Sequence, residues 1–397
     1  MIGWLTPAEF HRKSMAREHS RVGIYIHIPF CEKKCFYCDF YSIENHSLRG
    51  EFIEALVLEI KGFGKSHSRL EADTLFFGGG TPSLLTPREM ERILEAVHHT
   101  FQLSHDSEFT VECNPGATDT AYLREYKVLG ANRLSFGVQS FFEDELKFLS
   151  RIHSASQAEA AVHIAREAGY SNINVDLIYA LPHQTEDRLS ENLRRVVSLA
   201  PDHISAYNLI VEQGTPLSSA VANGSVIPAQ EETEVAMYEQ VMEYLEVKGY
   251  SHYEISNYAR PGFECRHNLK YWNAEEYIGF GPSAHSYLEG ERWWNVSSLS
   301  NYVSDMNSGR DPASAREKLT PTQKFDEYVL LNLRQGRLDP QALRRKFGVN
   351  LSDEFLSGVI SQGYFSDNGD LLRMTRKGFA VCDEITETLL ARHSLPQ

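Results

Sequence analysis

The feature that most constrains the fold is an alternation of strand-like and helix-like runs over residues 23–210. Six short runs have the β-branched and aromatic enrichment of strands, and they are Gly23–Phe30, Asp73–Gly80, Glu108–Pro115, Arg133–Ser140, Asn172–Pro182 and His203–Ile210. Between them, apolar residues recur every three or four positions, as on one helix face, over Glu51–Gly62, Pro87–His99, Ser156–Gly169 and Glu191–Leu199. Such serial βα units predict a parallel sheet with right-handed crossovers.

The number of units limits the choice of α/β fold. Six is fewer than the eight of a closed TIM barrel, so a partial (βα)6 barrel and a doubly wound sheet both fit, and periodicity does not separate them. Local signals agree with the helices: Thr86 before Pro87 is typical of an N-cap with proline at the first helical position. Gly169 and Gly249 stand where helices are expected to end.

The composition changes beyond the barrel units. We expect an N-terminal segment over residues 1–22, a barrel over 23–250, a connecting region over 251–320 and a C-terminal domain over 321–397. The last has three helix-like stretches and Asp367-Asn368-Gly369, a strong hairpin turn signal. This pattern predicts a mainly helical, winged-helix-like domain, and a plain packing domain is the alternative.

Charge and hydropathy exclude several classes of protein. The 397 residues carry a formal charge of −15, which counts against a nucleic-acid partner, because such partners need a basic face. No apolar run approaches the ~20 residues that span a bilayer. The first 22 residues mix basic and acidic side chains and lack the apolar core of a secretory signal. We therefore expect a cytoplasmic location.

Three of the six cysteines crowd into the loop after the first predicted strand. Cys31, Cys35 and Cys38 have the spacing CxxxCxxC. Thiolates are soft ligands that iron–sulfur clusters and zinc select, and three of them on a [4Fe–4S] cluster leave one iron open. A structural zinc site needs a fourth ligand, which nothing nearby obviously supplies. A redox disulfide would use only two of the three, so the cluster is favoured.

This segment resembles the radical S-adenosylmethionine (SAM) superfamily, in which CxxxCxxC binds a [4Fe–4S] cluster and SAM chelates the open iron. The runs YIHIPFC, FFGGGTP, RLSFGVQS and NVDLIYALPHQT are similar to the oxygen-independent coproporphyrinogen III oxidase group within it. The resemblance implies SAM contacts at Tyr25, Tyr37, Gly79, Gly80, Thr81, Glu112, Gln139, Arg151 and Asp176. These residues lie mostly at predicted strand ends, where a barrel places its site.

Two features separate the branches of that group. The oxidases resemble CxxxCxxCxC, whereas this chain has Phe40 at the position of the fourth cysteine. The residues from His267 to Trp272 match the HNxxYW motif of HemW-type haem chaperones. Imidazole is a common haem ligand, so His267 is the candidate, Cys265 is an alternative thiolate, and we expect the site to be accessible to a partner protein.

The resemblance to the haem chaperones therefore predicts three bound groups, which are the [4Fe–4S] cluster, SAM and haem. It implies delivery of haem to acceptor proteins, respiratory haem proteins at a membrane surface among them, and a homodimer. Coproporphyrinogen III oxidation in porphyrin biosynthesis is the alternative function.

Overall fold

A parallel sheet forms the centre of the molecule. The computed structural model describes residues 21–67, 69–117, 119–367 and 371–393. Its barrel strands are β1 (Val22–Ile28), β2 (Glu71–Gly79), β3 (Gln102–Cys113), β4 (Arg133–Gln139), β5 (Ile173–Tyr179) and β6 (His203–Asn208). They pair in chain order without a reversal. Right-handed crossovers then place all their helices on one face, so the sheet is a partial barrel and not a doubly wound sheet.

Helices follow the strands and cover the outer face of the sheet. They are α1 (Arg49–Ser66), α2 (Pro87–Thr100), α3 (Thr120–Val128), α4 (Glu143–Phe148), α5 (Ala155–Glu167), α6 (Glu186–Ser198), α7 (Pro216–Ala222) and α8 (Glu231–Val247). The predicted N-cap is confirmed, because the Thr86 side chain accepts from the Glu89 amide in a capping box. Gly169 and Gly249 both have positive φ beyond helix ends, as predicted.

Several elements differ in length from their predictions. Helix α1 continues past Gly62 to Ser66, and Gly64 in this last part packs closely on α2: a Cβ there would lie 2.9 Å from Thr100 Cγ2. The parallel strands end one to three residues before the predicted runs do, and those residues turn toward the carboxyl-end rim. Strand β3 begins at Gln102, six residues earlier than predicted, because its polar start still pairs with β2.

The region after α8 extends the same sheet at both edges. Strands β7 (Ser251–Glu254) and β8 (Asn257–Ala259) pair antiparallel beyond β6. After α9 (Arg266–Trp272), strand β9 (Tyr277–Phe280) pairs parallel to β1, and β10 (His285–Leu288), β11 (Glu291–Asn295) and β12 (Ala313–Lys318) continue outward. Helix α10 (Leu299–Asn307) precedes β12 and packs on α1.

The C-terminal domain is mainly helical with a small sheet, as predicted. It contains α11 (Pro321–Arg334), β13 (Arg337–Leu338), α12 (Pro340–Phe347), α13 (Asp353–Ser361), β14 (Phe365–Asp367), β15 (Leu372–Met374), α14 (Arg376–Phe379) and α15 (Cys382–Arg392). Strands β14 and β15 pair antiparallel. The predicted turn at Asn368 and Gly369 lies outside the described residues, as does nearly all of the N-terminal segment. Among the described residues, no helix is long and apolar enough to cross a bilayer.

Candidate functional site

A cavity of about 380 Å³ opens where the carboxyl ends of the parallel strands meet. It brings together most of the predicted site residues: Cys31, Cys35, Tyr37, Cys38, Gly79, Gly80, Thr81, Glu112, Gln139, Arg151 and Asp176. These positions span about 145 residues of sequence, so only the barrel topology makes them neighbours.

The cysteine loop is tied down by its own backbone. The Cys31 amide donates to the Ile43 carbonyl at 3.0 Å, and the Cys38 amide donates to the Cys35 carbonyl at 3.3 Å. The three thiols are partly exposed toward the cavity. Burial raises the pKa of Cys31 and raises that of Cys38 to about 11, so metal binding there would release protons.

Side chains from other strands contact the thiols. The Thr81 hydroxyl lies 3.6 Å from Cys31 Sγ, and Arg151 Nη1 donates to Cys35 Sγ at 3.3 Å. Thr81 and Arg151 thus provide hydrogen-bond donors to two of the three sulfurs. In the described ranges, no three cysteine, histidine or carboxylate side chains converge on one ion-sized point.

The glycines at the end of β2 pack closely against the end of β1 and the residues that follow it. Gly79 has φ +107°, and a Cβ on Gly80 would lie 2.6 Å from the Phe30 carbonyl oxygen. The Gly79 amide donates to Glu112 Oε2 at 3.1 Å. The triple glycine thus brings backbone to the cavity wall and also orients a carboxylate.

Two carboxylates lie at the inner end of the cavity. Burial, with the nearby Asp176 charge, raises the pKa of Glu112 to about 8, and burial also raises the pKa of Asp176. Asp176 accepts from Asn174 Nδ2 at 2.7 Å. Two like charges in one buried space repel each other, so a cationic group between them would be stabilised.

Other polar atoms facing the cavity lack partners. Gln139 has φ +69° at the end of β4, a strained backbone for a residue other than glycine. Within the described residues, Gln139 Oε1, Asn208 Oδ1 and Arg151 Nε are buried without a hydrogen bond. Buried polar atoms rarely stay unpaired, so this cavity fits a polar ligand such as SAM.

Asn114 is a site residue that the sequence did not single out. It accepts from Arg151 Nη2 at 2.8 Å and donates to Thr81 Oγ1 at 3.2 Å. It thereby links the two side chains that contact the cysteine sulfurs. Its position directly after β3 and before Pro115 was the available signal, because strand ends carry barrel sites.

Tyr25 lies just behind the cavity. Its hydroxyl donates to His27 Nδ1 at 3.1 Å, and the Tyr25 residue is absent from the cavity wall. Its ring stacks on Phe76 with centroids 6.2 Å apart. Tyr25 therefore supports the wall near Glu112 in this structure.

The expectation of an accessible His267 is wrong. Its ring is buried in α9, Nδ1 lies 2.7 Å from Thr74 Oγ1, and Nε2 lies 2.8 Å from the Tyr271 hydroxyl. Burial lowers its pKa to about 3, so the ring is neutral at pH 7. Tertiary packing thus occupies both ring nitrogens.

Cys265 is equally enclosed at the start of the same helix. Its thiol donates to Glu108 Oε1 at 3.5 Å, and Glu108 also accepts from the amides of Arg266 and His267. Burial raises the pKa of Cys265 to about 12. A carboxylate at the helix N-terminus stabilises α9, so the motif is firmly anchored to β3.

Exposed apolar and charged residues together line the open side of the cavity. Phe40 and Ile210 are each 62% exposed, beside the exposed Lys33, Asp39 and Glu212. Large apolar side chains exposed together mark binding surfaces more often than isolated ones do. Phe40 thus adds exposed aromatic surface at the position where the oxidase pattern has a cysteine.

Comparison with known proteins places the chain in a family. The model of the Radical SAM superfamily matches residues 25–196. The chain is 34% identical to the heme chaperone HemW of Bacillus subtilis (strain 168) over 368 residues, 91% of this chain and 97% of that protein. It is 33% identical to the heme chaperone HemW of Escherichia coli (strain K12), covering 93% and 98%.

The likeness to a solved oxidase is one of fold. Coproporphyrinogen III oxidase (HemN) from Escherichia coli, a radical SAM enzyme, is 23% identical, with a TM-score of 0.80 over 96% of this chain and 93% of that one. Its architecture therefore matches almost throughout. The matches to curated relatives, at higher identity and nearly full length, show that this chain belongs to the HemW family of heme chaperones within the radical SAM superfamily.

Proposed function

We propose that this chain binds a [4Fe–4S] cluster, SAM and haem, and that it delivers the haem to acceptor haem proteins. The observation that carries the proposal is the meeting of three cysteines with unpaired buried polar groups in one cavity. The heme chaperone names of its relatives supply the cargo. The acceptors in this proposal are respiratory haem proteins at a membrane surface.

Cys31, Cys35 and Cys38 hold the cluster in this proposal. A cluster with SAM on its open iron supplies one-electron chemistry. The chain contributes hydrogen bonds from Thr81 and Arg151 toward the sulfurs. Such outer contacts tune cluster potential and orient the ligands.

SAM is proposed to lie against the strand ends. Glu112 and Asp176 provide negative charge for its ammonium and ribose groups, and Gln139 and Gly79 provide polar contacts beside them. The remaining positions assigned to SAM are Tyr37, Gly80, Thr81 and Arg151 on the cavity wall and Tyr25 behind it. The unpaired atoms described above support this assignment.

His267 and Cys265 remain the ligands that the HNxxYW motif proposes for haem. Both are buried, so haem could reach them only if α9 moved away from Thr74 and Glu108. We also propose a homodimer, which sedimentation at several protein concentrations would test.

Haem transfer tests the function. The purified protein, loaded with haem, is mixed with the apo form of a respiratory cytochrome, and the cytochrome spectrum is followed. We expect transfer faster than from free haem at equal concentration. A protein that binds no haem, or that only slows uptake by the acceptor, would contradict the proposal.

A further inference from the structure

A second cavity lies away from the cysteine loop. It encloses about 740 Å³ between the C-terminal turn of α1, strands β9 and β11, and the end of α10. Pockets for small molecules and cofactors commonly have ~300–1,000 Å³. Among the described residues, its wall shares no member with the cavity that holds the cysteines.

His67 lies on the wall of this outer cavity, directly after α1. Its Nδ1 is 3.2 Å from the Phe63 carbonyl oxygen, which can only accept. In the neutral ring Nδ1 therefore carries the proton and Nε2 keeps its lone pair. The side chain is exposed, and Nε2 has no hydrogen-bond partner in the described part of the chain.

The ring of His67 is also held in place. It stacks on Phe63 with centroids 4.0 Å apart and planes 11° from parallel. Metal-binding histidines usually donate their second ring N–H to a backbone carbonyl or carboxylate, which fixes the tautomer and orientation. His67 has that arrangement, whereas both nitrogens of His267 are used by Thr74 and Tyr271.

The wall of the outer cavity combines apolar surface with cationic groups. Trp293, Met306 and the 46% exposed Leu58 contribute apolar atoms. The charged members are Lys65, Arg310, Arg316 and Lys318 against Glu59, Glu289, Glu291 and Asp311. The four basic and four acidic side chains balance, so the wall as a whole carries no net formal charge.

Two of those cations are available to a ligand. Arg310 pairs with Asp305, and Arg316 pairs with Asp311. Among the described residues, the ammonium groups of Lys65 and Lys318 have no carboxylate within 4.0 Å. A planar apolar ligand with two carboxylates and a metal that accepts imidazole would satisfy the histidine, the apolar wall and both lysines. Haem has this chemistry.

We propose that haem is carried in the outer cavity, with His67 Nε2 as an axial ligand of the iron and with Lys65 and Lys318 facing the propionates. This rests on the proposed function, because it takes haem as the cargo. It deepens that function by placing the cargo at an open site, which needs no unfolding of α9.

Haem titration of matched histidine variants tests the site. Wild type, His67→Ala, His267→Ala and His163→Ala are titrated with haem, and the Soret band is recorded. His163 is an exposed histidine on α5 and serves as the control. We expect His67→Ala to shift the Soret maximum and to weaken haem binding at least about tenfold, because even loss of an outer contact to a metal ligand costs that much.

Two further probes separate ligation from cavity filling. Metal-free protoporphyrin IX has no iron to ligate, so it should bind to His67→Ala with the same affinity as to the wild type. The double variant Lys65→Glu, Lys318→Glu should weaken both haem and protoporphyrin IX, because it opposes the propionates.

The outcomes separate failure of the proposed haem site from failure of the proposed function. If His267→Ala alone loses the haem spectrum while its fold is intact by circular dichroism, and His67→Ala matches the His163→Ala control, the outer site is wrong and haem carriage stands. If the wild type binds no haem, the proposed function itself fails.

Discussion

Glu112 and Asp176 show how single residues set the chemistry of the cysteine cavity. Both carboxyls have raised pKa values because they are buried, and Glu112 is raised further by Asp176. The Gly79 amide provides one hydrogen bond that favours the charged form of Glu112. A cationic ligand between these carboxyls would lower their pKa values, because it binds more tightly to the ionised form.

Replacing Glu112 should weaken SAM binding without removing the cluster. A hydrogen bond to a charged group is worth roughly 1.5–3 kcal/mol, so Glu112→Ala should weaken SAM affinity about ten- to a hundredfold. Glu112→Gln keeps an acceptor for Gly79 and should lose less. Calorimetry on the reconstituted protein measures both. Equal SAM affinity in all three proteins would remove Glu112 from the site.

The three loop cysteines should each be needed for the cluster. Anaerobic reconstitution of Cys31→Ala, Cys35→Ala or Cys38→Ala should leave iron and the visible charge-transfer band strongly reduced, because each thiolate holds a separate iron. Cys382→Ala is the matched control, since Cys382 is a buried free thiol of the C-terminal domain. Full iron content in the triple variant would place the cluster elsewhere.

At the scale of elements, α9 connects the barrel to the C-terminal domain. Its first turn is anchored to Glu108 of β3, and its last residue, Trp272, accepts from Gln335 Nε2 at 2.7 Å. Lys270 on the same helix pairs with Asp73 of β2 at 2.8 Å and is almost fully buried. The helix therefore has a structural role, whatever it contributes to haem.

His267→Ala should destabilise the fold. It removes the contacts of a buried ring to Thr74 and Tyr271 and leaves a cavity beside Phe76, so we expect a loss of about 2–4 kcal/mol in the free energy of unfolding. Urea unfolding measures it, with His163→Ala as the exposed control. A variant as stable as the control would show that the ring is not part of the packed core.

The difference in the free energy of unfolding between wild type and His267→Ala should depend on pH. Burial lowers the pKa of His267 from 6.5 to about 3. Between these pH values the imidazole is protonated in the unfolded chain and neutral in the folded chain. The contribution of His267 to stability is present above pH 6.5 and is lost as the pH falls toward 3. The advantage of wild type over His267→Ala should therefore shrink across that range.

At the scale of the whole molecule, sequence periodicity was sufficient for the barrel but not for its edges. The βα series predicted the six barrel strands β1 to β6, because each has its own apolar run. The pairing of β9 with β1 joins residues about 250 apart in sequence, and no local pattern encodes it. The outer cavity is missed for the same reason, since α1 and β11 form it together.

The two candidate sites also differ in how far the sequence could predict them. The cysteine spacing, the strand ends and the family resemblance together named most of the residues that line the cysteine cavity, because parallel strands bring their carboxyl ends together; Asn114 was not among them, and Tyr25 lies behind the wall. The burial of His267 could not be predicted, since it depends on Thr74 and Phe76 from a distant strand. A motif fixes which residues are present, but tertiary packing decides which of their atoms remain free.

The most direct test of the account is a parallel assay of haem and coproporphyrinogen III on one anaerobically reconstituted preparation. With SAM and a reductant present, the protein should bind haem at one per chain, seen as a Soret band, and should leave coproporphyrinogen III unchanged by chromatography. Sustained conversion to protoporphyrinogen IX without stoichiometric haem binding would contradict the account and would assign the oxidase reaction to this chain.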